Sequence, residues 1–427
     1  MTSAQTPSDW NWVKLSEYCG LQGGYAFKSS DYTISGTPII RISNIRNLHV
    51  DLEDAPYVSS IEAYPKDYQV IHGDILIAMS GATTGKIGRY LQQNASMLNQ
   101  RVGKFVPSLM LNNDFLFHLV QDRAVASQIL QDAVGGAQPN ISPSDILDVD
   151  FCLPPLPEQK KIARILSSVD SKLALIDQQI TNTQTLKKGL MQKLFTQGVG
   201  TRDADGRWQP HTEFQDTELG RMPKGWEIQS ASDICHEIVV GIVIKPTKYY
   251  RGSGIPVLRS ANVRLEGLNS NDLKFMSAED NDLLKKSKLK EGDLVTVRTG
   301  YPGTTAVVTS PFAGANCVDL VISRPMANIV APEYLACWIN SDGGKNQVLK
   351  MQGGLAQQHF NVGDMKSLKV AVPPLTEQKE ITRVLSTIDR KLEHLKSQKA
   401  QTQHLKKGLM QKLLTGQIRV QPDPQDN

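Results

Sequence analysis

Two long stretches of the chain carry apolar residues at helical spacing. In the first stretch the apolar side chains recur at alternating steps of four and three residues, at Ile162, Leu166, Val169, Leu173, Ile176 and Ile180. The second stretch repeats these steps at Ile381, Leu385, Ile388, Leu392 and Leu395, and then places the polar residues Lys399 and Thr402 at seam positions. Such a heptad seam is typical of coiled-coil helices. The pattern predicts helices over residues 154–197 and 373–416, each roughly 60 Å long at a rise of about 1.5 Å per residue.

The two stretches are copies of one sequence. Residues 154–194 and 373–413 are identical at 25 of 41 positions, at a constant offset of 219 residues. Each copy opens on Pro-Pro-Leu-x-Glu-Gln-Lys and closes on Leu-Lys-Lys-Gly-Leu-Met-Gln-Lys-Leu. This period is too long for a solenoid, so each repeat unit should be a domain plus one helix. Because one helix cannot bury its apolar stripe alone, we expect the copies to pair as an antiparallel intramolecular coiled coil with pseudo-two-fold symmetry.

The apolar pattern slips near the end of each copy. After Thr183 the apolar positions come one residue early, and the second copy repeats the slip, which redirects the apolar face. A glycine inside each slipped segment costs the helix about 1 kcal/mol relative to alanine. One interpretation is a docking surface for another protein, formed by Leu186, Gly189, Leu190, Leu405, Gly408 and Leu409. The other is an ordinary helix end whose lysines suit the helix dipole.

The remaining sequence divides into two related globules. Trp10 precedes Cys19 by the same nine residues that separate Trp226 from Cys235. Residues 36–46 match 254–264, each a strand leading into a polar turn, and residues 73–79 match 292–298. We expect two α+β globules, residues 1–153 and 226–372, in which an amphipathic helix runs to Leu130 in the first. Residues 198–225 are predicted to be a polar linker and residues 417–427 a tail, disordered from Gln421.

Composition and motifs narrow the function. No apolar run is long enough to cross a bilayer and no signal peptide is evident, so we expect a cytoplasmic protein. The five cysteines are widely spaced, which predicts free thiols and no zinc site. The segment from Gly81 to Lys86 fails as a phosphate loop, because its spacing is short by one residue and Ile87 stands where a hydroxyl is needed. We expect a chain without catalytic activity, metal or cofactor of its own.

The repeated opening and closing motifs, returning after a second globule, resemble the specificity subunit of type I restriction-modification systems. The resemblance covers nearly the whole chain. It implies two target-recognition domains that each read one half of a split, asymmetric site in double-stranded DNA, with the paired helices setting the gap. It also implies two methyltransferase subunits, which use S-adenosylmethionine, and restriction subunits, which use ATP and magnesium. Lys399 and Thr402 depart from a clean seam, so we expect looser helix pairing there.

Base reading requires arginine, asparagine or glutamine side chains on exposed loops, with further cations on phosphates. The candidates in the first globule are Arg41, Asn44, Arg46, Lys86, Arg89, Gln100, Arg101 and Lys104. Those in the second globule are Lys248, Arg251, Arg259, Asn262, Arg264, Arg298 and Tyr301. An ordinary solvated side chain is the alternative for each. The net charge of +4 permits a polyanionic partner without requiring one, so a coiled-coil scaffold without DNA contact stays open as a second function. A self-sufficient modification enzyme is disfavoured, because the sequence contains no glycine-rich cofactor loop after a strand and no motif for presenting a flipped adenine.

Overall fold

The computed structural model describes residues 7–46, 48–131, 140–351 and 359–424. The chain forms two compact units, the first comprising residues 1–177 and 397–427 and the second residues 178–396. Each unit holds one globule, the beginning of one long helix and the end of the other. The fold class predicted from the sequence, α+β with a repeated domain and two long helices, is confirmed.

The first globule is built on two mixed sheets and a terminal pair of strands. The larger sheet has the order β2-β11-β8-β9-β5-β4, the smaller β6-β3-β10-β7, and β1 pairs antiparallel with β12. The strands are β1 (Asn11–Lys14), β2 (Cys19–Gly23), β3 (Thr37–Ile40), β4 (Ile45–Arg46), β5 (Leu48–Val50), β6 (Tyr57–Val58), β7 (Gln69–Val70), β8 (Ile75–Ala78), β9 (Ile87–Arg89), β10 (Ser96–Leu98), β11 (Val102–Pro107) and β12 (Asp150–Leu153).

Three short helices and one long helix follow these strands: α1 (Asn113–Leu119), α2 (Arg123–Ile129), α3 (Pro143–Leu147) and α4 (Leu156–Gln197). The prediction of a single amphipathic helix running to Leu130 is wrong, because the helix is interrupted between α1 and α2. Asp122 causes the break: its carboxylate accepts hydrogen bonds from the backbone N–H groups of Ala124 and Val125 and so caps a new helix.

The second globule repeats this topology. Its larger sheet has the order β18-β26-β23-β24, its smaller sheet β22-β19-β25, and β17 pairs with β27 as β1 does with β12. The strands are β13 (Thr201–Arg202), β14 (Trp208–Gln209), β15 (Phe214–Thr217), β16 (Gly220–Pro223), β17 (Glu227–Ser230), β18 (Cys235–Val240), β19 (Ile255–Leu258), β20 (Val263–Arg264), β21 (Gly267–Leu268), β22 (Lys274–Met276), β23 (Leu294–Val297), β24 (Thr305–Val307), β25 (Asn316–Cys317), β26 (Leu320–Pro325) and β27 (Lys369–Val372).

The helices of this half are α5 (Ala231–Ile234), α6 (Ala278–Leu283), α7 (Pro332–Asn340), α8 (Asp342–Met351), α9 (Val362–Ser367) and α10 (Leu375–Leu413). The segment predicted as a linker is ordered in the second unit as two hairpins, β13–β14 and β15–β16. The predicted tail is ordered as far as residue 424, because Asp423 forms ion pairs with Lys161 and Arg164. Residues 425–427 lie outside the described residues.

Antiparallel pairing of α4 and α10 is visible inside each unit. In the first unit Asp170 pairs with Lys406 at 2.7 Å and Asp177 with Lys399 at 2.6 Å, so residue numbers rise along one helix and fall along the other. In the second unit Lys187 pairs with Asp389 at 2.5 Å. The predicted seam is at least half-buried at all eleven positions. The polar seam residues fit this packing, since Thr402 is buried with its hydroxyl donating to the carbonyl of Gln398.

Helix ends pack on the globule cores. In the first unit Ile162 and Leu166 of α4 and Leu413 of α10 belong to the core that contains Trp10 and Phe115. In the second unit the corresponding residues are Ile381 and Leu385 of α10 and Leu194 of α4, in the core that contains Trp226 and Trp338. Burying these side chains removes apolar surface from water, at about 25 cal/mol per Å². Each globule is therefore held on a helix pair by its own hydrophobic core.

Candidate nucleic-acid interface

The repeated Arg-x-x-Asn turn folds the globule instead of presenting an amide to solvent. Asn44 and Asn262 are both buried. Each side-chain oxygen accepts a hydrogen bond from the backbone N–H of the arginine three residues earlier, at 2.9 and 3.0 Å, and each amide nitrogen donates to loop carbonyls. The prediction that these two asparagines read bases from an exposed loop is wrong, because their amides are used up inside the protein.

The arginines of the same turns also make hydrogen bonds within the globule. The guanidinium of Arg41 donates to the carbonyl oxygen of Asp54 at 2.7 Å, and that of Arg259 donates to the carbonyl oxygen of Asp272 at 2.7 Å. In both globules the Nε atom of this arginine is buried and makes no hydrogen bond within the described part of the chain. The turn recurs because it closes a loop of similar length in each half. Its presence in both halves therefore requires no role in DNA binding.

Three further candidates are tied to neighbouring groups. Arg89 lies over the ring of Phe117 and pairs with Asp114 at 2.7 Å. Lys104 donates to the carbonyl oxygen of Gln69 at 2.7 Å. Arg298 pairs with Asp319 and also donates to the carbonyl oxygen of Phe360. These cations stabilise the globules, and their heads are mostly buried.

Two candidates are half-exposed ion-pair partners. Arg46 lies 3.2 Å from Asp51 and 3.4 Å from Asp54. Arg251 lies 3.1 Å from Asp280. Exposed pairs of this kind contribute little free energy, typically ~0–1 kcal/mol, so a phosphate could replace either carboxylate at small cost.

The remaining candidates are exposed and available. In the first globule Lys86, Gln100 and Arg101 make no side-chain hydrogen bond or ion pair with any other described residue. In the second globule the exposed candidates are Lys248, whose ammonium lies over the ring of Tyr249, Arg264, which donates only to nearby carbonyls, and Tyr301, which is 81% exposed. Among the candidates predicted from the sequence, these six side chains are the ones whose polar or aromatic groups are free for a ligand in the described part of the chain.

The opening motif of each helix contains an anchor that the sequence did not reveal. Glu158 lies in the first turn of α4, where the helix dipole alone would favour an acid, yet it is buried and accepts a hydrogen bond from the indole Nε1 of Trp10 at 2.9 Å. Glu377 is buried likewise and accepts from Trp226 Nε1 at 3.0 Å. The equal spacing from each tryptophan to its cysteine, together with the invariant glutamate, was the signal available in the sequence.

The other donors to these carboxylates differ between the units. Arg419 donates to both oxygens of Glu158, at 2.9 and 2.8 Å, and also pairs with Asp9, which raises the pKa of its guanidinium. Glu158 also accepts from the backbone N–H of Val420 at 3.2 Å, whereas Glu377 accepts from two backbone N–H groups, those of Val199 and Gly200, at 2.9 and 3.1 Å. The Nε2 atom of His211 lies 2.9 Å from the same carboxylate.

The glutamine of the motif clamps the globule in both halves. The side-chain oxygen of Gln159 accepts from the backbone N–H of Asn112 at 2.8 Å, and its nitrogen donates to the carbonyl of Met110. Gln378 makes the same two bonds, accepting from the N–H of Ala331 at 2.8 Å and donating to the carbonyl of Ile329. The Glu-Gln pair of the repeated motif thus joins the beginning of each long helix to its globule.

A polar junction lies where α1 meets the helix pair in the first unit. His118 is almost fully buried, its Nε2 atom lies 3.1 Å from the hydroxyl of Ser167, and its Nδ1 atom is 3.8 Å from Asp170. Burial lowers the pKa of His118 to about 3, and the nearby cations Lys406 and Arg89 act in the same direction. Cys337 holds the corresponding position in the second unit, where burial raises the pKa of its thiol to about 11.

The predicted docking surface is only partly exposed. Leu190 and Leu409 pack against the cores of their own units. By contrast, Leu186 is 55% exposed and Leu405 is 53% exposed. A Cβ atom added at Gly189 or Gly408 would meet no described residue within 4 Å, so no contact in the described part of the chain explains either glycine.

Other chemistry is limited in the part of the chain that the structure describes. No group of three or more histidine, cysteine or acidic side chains there could hold a metal ion. All five cysteines are free, and four of them are buried. Within the same residues no helix is both long enough and apolar enough to cross a membrane.

Comparison with known proteins identifies the family. The profile described as "Type I restriction modification DNA specificity domain" matches residues 7–184 and 223–402, one match for each half. The chain therefore belongs to this family, the specificity subunits of type I restriction-modification systems. The chain named as the MjaX specificity subunit of Methanocaldococcus jannaschii is 28% identical, covering 97% of this chain and 95% of its own length. The EcoKI specificity subunit of Escherichia coli K12 is 24% identical, covering 99% and 92%.

Solved structures agree on the fold. The specificity subunit of M. genitalium superposes with a TM-score of 0.58 at 14% identity, over 97% of each chain. A chain from a study of complex assembly and conformational transition in a type I restriction-modification system superposes with a TM-score of 0.57 at 17% identity, over 97% of this chain and all of that one. The repeated globules and the two long helices are thus a shared architecture.

Proposed function

We propose that this chain is the DNA-reading subunit of its restriction-modification enzyme, in which each globule recognises one half of a split, asymmetric site. The observation that carries the proposal is that both globules share one scaffold and one set of anchors, while their exposed polar side chains differ. Loops held on a rigid scaffold commonly carry recognition. Two different loop sets on one scaffold would read two different half-sites.

The available side chains suit DNA. In the first globule an arginine, a glutamine and a lysine are exposed and unpaired within the described residues, at Arg101, Gln100 and Lys86. Arginine pairs with the edge of guanine and glutamine with that of adenine in the major groove, while lysines neutralise phosphates. Binding should therefore weaken as salt concentration rises.

The paired helices would set the gap between half-sites. The antiparallel pairing within each unit is pinned by the ion pairs Lys406–Asp170 and Lys187–Asp389, which occupy the same place in the two copies. Deleting one heptad from either helix should change the gap in the target and leave the half-site sequences intact. A deletion variant that recognised new half-site bases would contradict this role.

The helix ends would dock two copies of one methyltransferase subunit. The pairs Leu186–Gly189 and Leu405–Gly408 are chemically identical, one in each unit, and their leucines are almost equally exposed. Two equal surfaces fit two copies of the same partner. Because a glycine within a helix costs about 1 kcal/mol relative to alanine and nothing in the chain approaches these two, close contact with another backbone is the simplest reason for them.

In this arrangement the chain itself performs no chemistry. The methyltransferase subunits would use S-adenosylmethionine to modify adenine, and restriction subunits would use ATP and magnesium. What this chain supplies is recognition and geometry, through its loops and its helix pair. The alternative function, a coiled-coil scaffold without DNA contact, would leave the exposed side chains of the globules without a role.

The test is to map methylated adenines in a restriction-deficient host that expresses the chain with its neighbouring methyltransferase subunit. We expect methylation at one split motif, with one half-site changing when one globule is exchanged for that of a relative. A stable complex that produces no new methylation and binds DNA with no dependence on salt would favour the scaffold.

A further inference from the structure

A cleft of about 590 Å³ opens on the first globule beside the turn that follows β8. Three backbone segments form it and are bonded to one another. The N–H of Met79 donates to the carbonyl of Arg101 at 3.0 Å, and the N–H of Ile141 donates to the carbonyl of Met79 at 2.9 Å. Ser80 and Asn140 face each other across an isolated antiparallel bridge. The side chains around the cleft therefore project from fixed backbone.

The polar groups that line the cleft lack partners within the described residues. Ser80 is only 9% exposed, and its hydroxyl oxygen is buried without a hydrogen bond to any residue that the structure describes. Gln100, Arg101 and Asn140 also line the cleft, are exposed, and make no side-chain hydrogen bond or ion pair with another described residue. A buried hydroxyl without a partner is unfavourable because it has lost its hydrogen bonds to water, and a ligand with a matching polar group would restore one.

The equivalent place on the second globule is closed by internal pairs. There the N–H of Phe360 donates to the carbonyl of Arg298 at 3.0 Å, as Ile141 does to Met79. Thr299, at the position of Ser80, bonds His359 at 2.9 Å, and Arg298 pairs with Asp319, which stands where Gln100 does. The two globules share this backbone, but only the first leaves its polar side chains unpaired.

We propose that Arg101, Gln100 and Asn140, with the hydroxyl of Ser80 behind them, are the base-reading group of the first globule and contact base edges in the major groove. This inference rests on the proposed function. Arg101 would pair with a guanine and the two amides with adenines, since these are the matching donor and acceptor patterns. The second globule reads its half-site from other side chains, because Thr299, His359 and Arg298 are already engaged.

The experiment uses the complete chain with its methyltransferase subunit and compares Arg101→Ala, Gln100→Ala and Asn140→Ala. Adenine methylation is mapped across the host genome, and the purified complex is tested in competition between the target duplex and duplexes changed at single base pairs. Each variant should tolerate substitutions at one position, all within the same half-site, with roughly 10- to 100-fold less discrimination there. The other half-site should stay unchanged.

Controls separate the possible failures. Arg123→Ala removes an exposed arginine of the same globule that does not line the cleft, and His359→Ala removes the closing pair of the second globule; neither should relax the first half-site. Equal losses on all sequences, or no change in discrimination, would overturn the cleft while leaving the half-site function intact. If the unmodified chain directs no methylation to a split motif, the proposed function fails and the cleft assignment falls with it.

Discussion

In the first unit Glu158 joins Trp10 to the guanidinium of Arg419 and one backbone N–H group, whereas in the second unit Glu377 joins Trp226 to His211 and two backbone N–H groups. The acceptor and the tryptophan are the same, but the third partner is charged and half-exposed in one case and largely buried in the other. A repeated carboxylate can therefore keep its place while its donors change, provided that every oxygen stays satisfied.

The proposed recognition loops show the opposite pattern. The backbone around Ser80 and Thr299 is equivalent, yet its polar side chains are unpaired in the first globule and paired with each other in the second. Residues that recur in both halves, such as the Arg-x-x-Asn turn, maintain the fold. Within the globules, side chains repeated in both halves thus have structural roles, and the loops that differ are where we expect each globule to meet its own ligand.

The largest effect should come from the buried carboxylates. Glu377→Gln leaves an amide N–H opposite another donor, either the indole of Trp226 or the group around Val199, so it should lower the free energy of unfolding by about 3 kcal/mol. Glu158→Gln should cost less, about 1–2 kcal/mol, because Arg419 is 43% exposed and keeps Asp9 as a partner. Urea denaturation measures both, and equal losses would contradict the distinction between the two anchors.

The ion pairs between the helices come next. Lys406→Met should destabilise the first unit by about 2 kcal/mol, since the lysine is 13% exposed, also bonds Gln121, and leaves Asp170 behind. Lys187→Met should cost about 1 kcal/mol, because its partner Asp389 is 39% exposed. Lys399→Met, in the most exposed pair, is the control and should change little. Hydrogen exchange of the helices would report each loss, and a reversed order would break the comparison.

The junction beside α1 gives the units different responses to acid. His118 has a folded-state pKa of about 3, against about 6.5 when unfolded, so between these values the unfolded state binds more protons. Stability is therefore full above pH 6.5 and falls as pH decreases, by about 1–2 kcal/mol at pH 5.5. His118→Cys copies the second unit and should remove this part of the pH dependence. Parallel pH profiles for the two proteins, measured by exchange of α1, would contradict a neutral buried histidine.

The repeated helices and their antiparallel pairing could be predicted because two copies of a heptad seam leave few other ways to bury it. The buried anchors Glu158 and Glu377 could not be predicted from the sequence. Glu158 in a first helical turn resembles any dipole-favoured acid, and its partner Arg419 is 261 residues away in sequence. Asn44 and Asn262 were assigned to DNA because loop closure and base reading use the same amide chemistry, and only burial distinguishes them. The predicted docking surface is only partly exposed for the same reason, since Leu190 packs against the core while Leu186 is exposed.

The smallest expected effect tests whether the two helix ends are equivalent. Gly189→Ala and Gly408→Ala should each raise the free energy of unfolding, by at most about 1 kcal/mol, because alanine favours the helix and its methyl group meets nothing in the chain. If these glycines admit a close partner, each variant should weaken binding of one methyltransferase subunit by about tenfold, since an added methyl in a tight contact costs ~1–3 kcal/mol.

Lys188→Ala and Lys407→Ala are the matched controls, one residue away and exposed, and should leave assembly unchanged. Titration of the methyltransferase subunit against each variant, with the stoichiometry followed by native mass spectrometry, distinguishes the two sites. A gain in stability with two subunits still bound at full affinity would mean that the glycines face only solvent. Weakened binding in only one of the two glycine variants would mean that the two identical sequences contact different surfaces. The two helix ends would then not be equivalent docking sites.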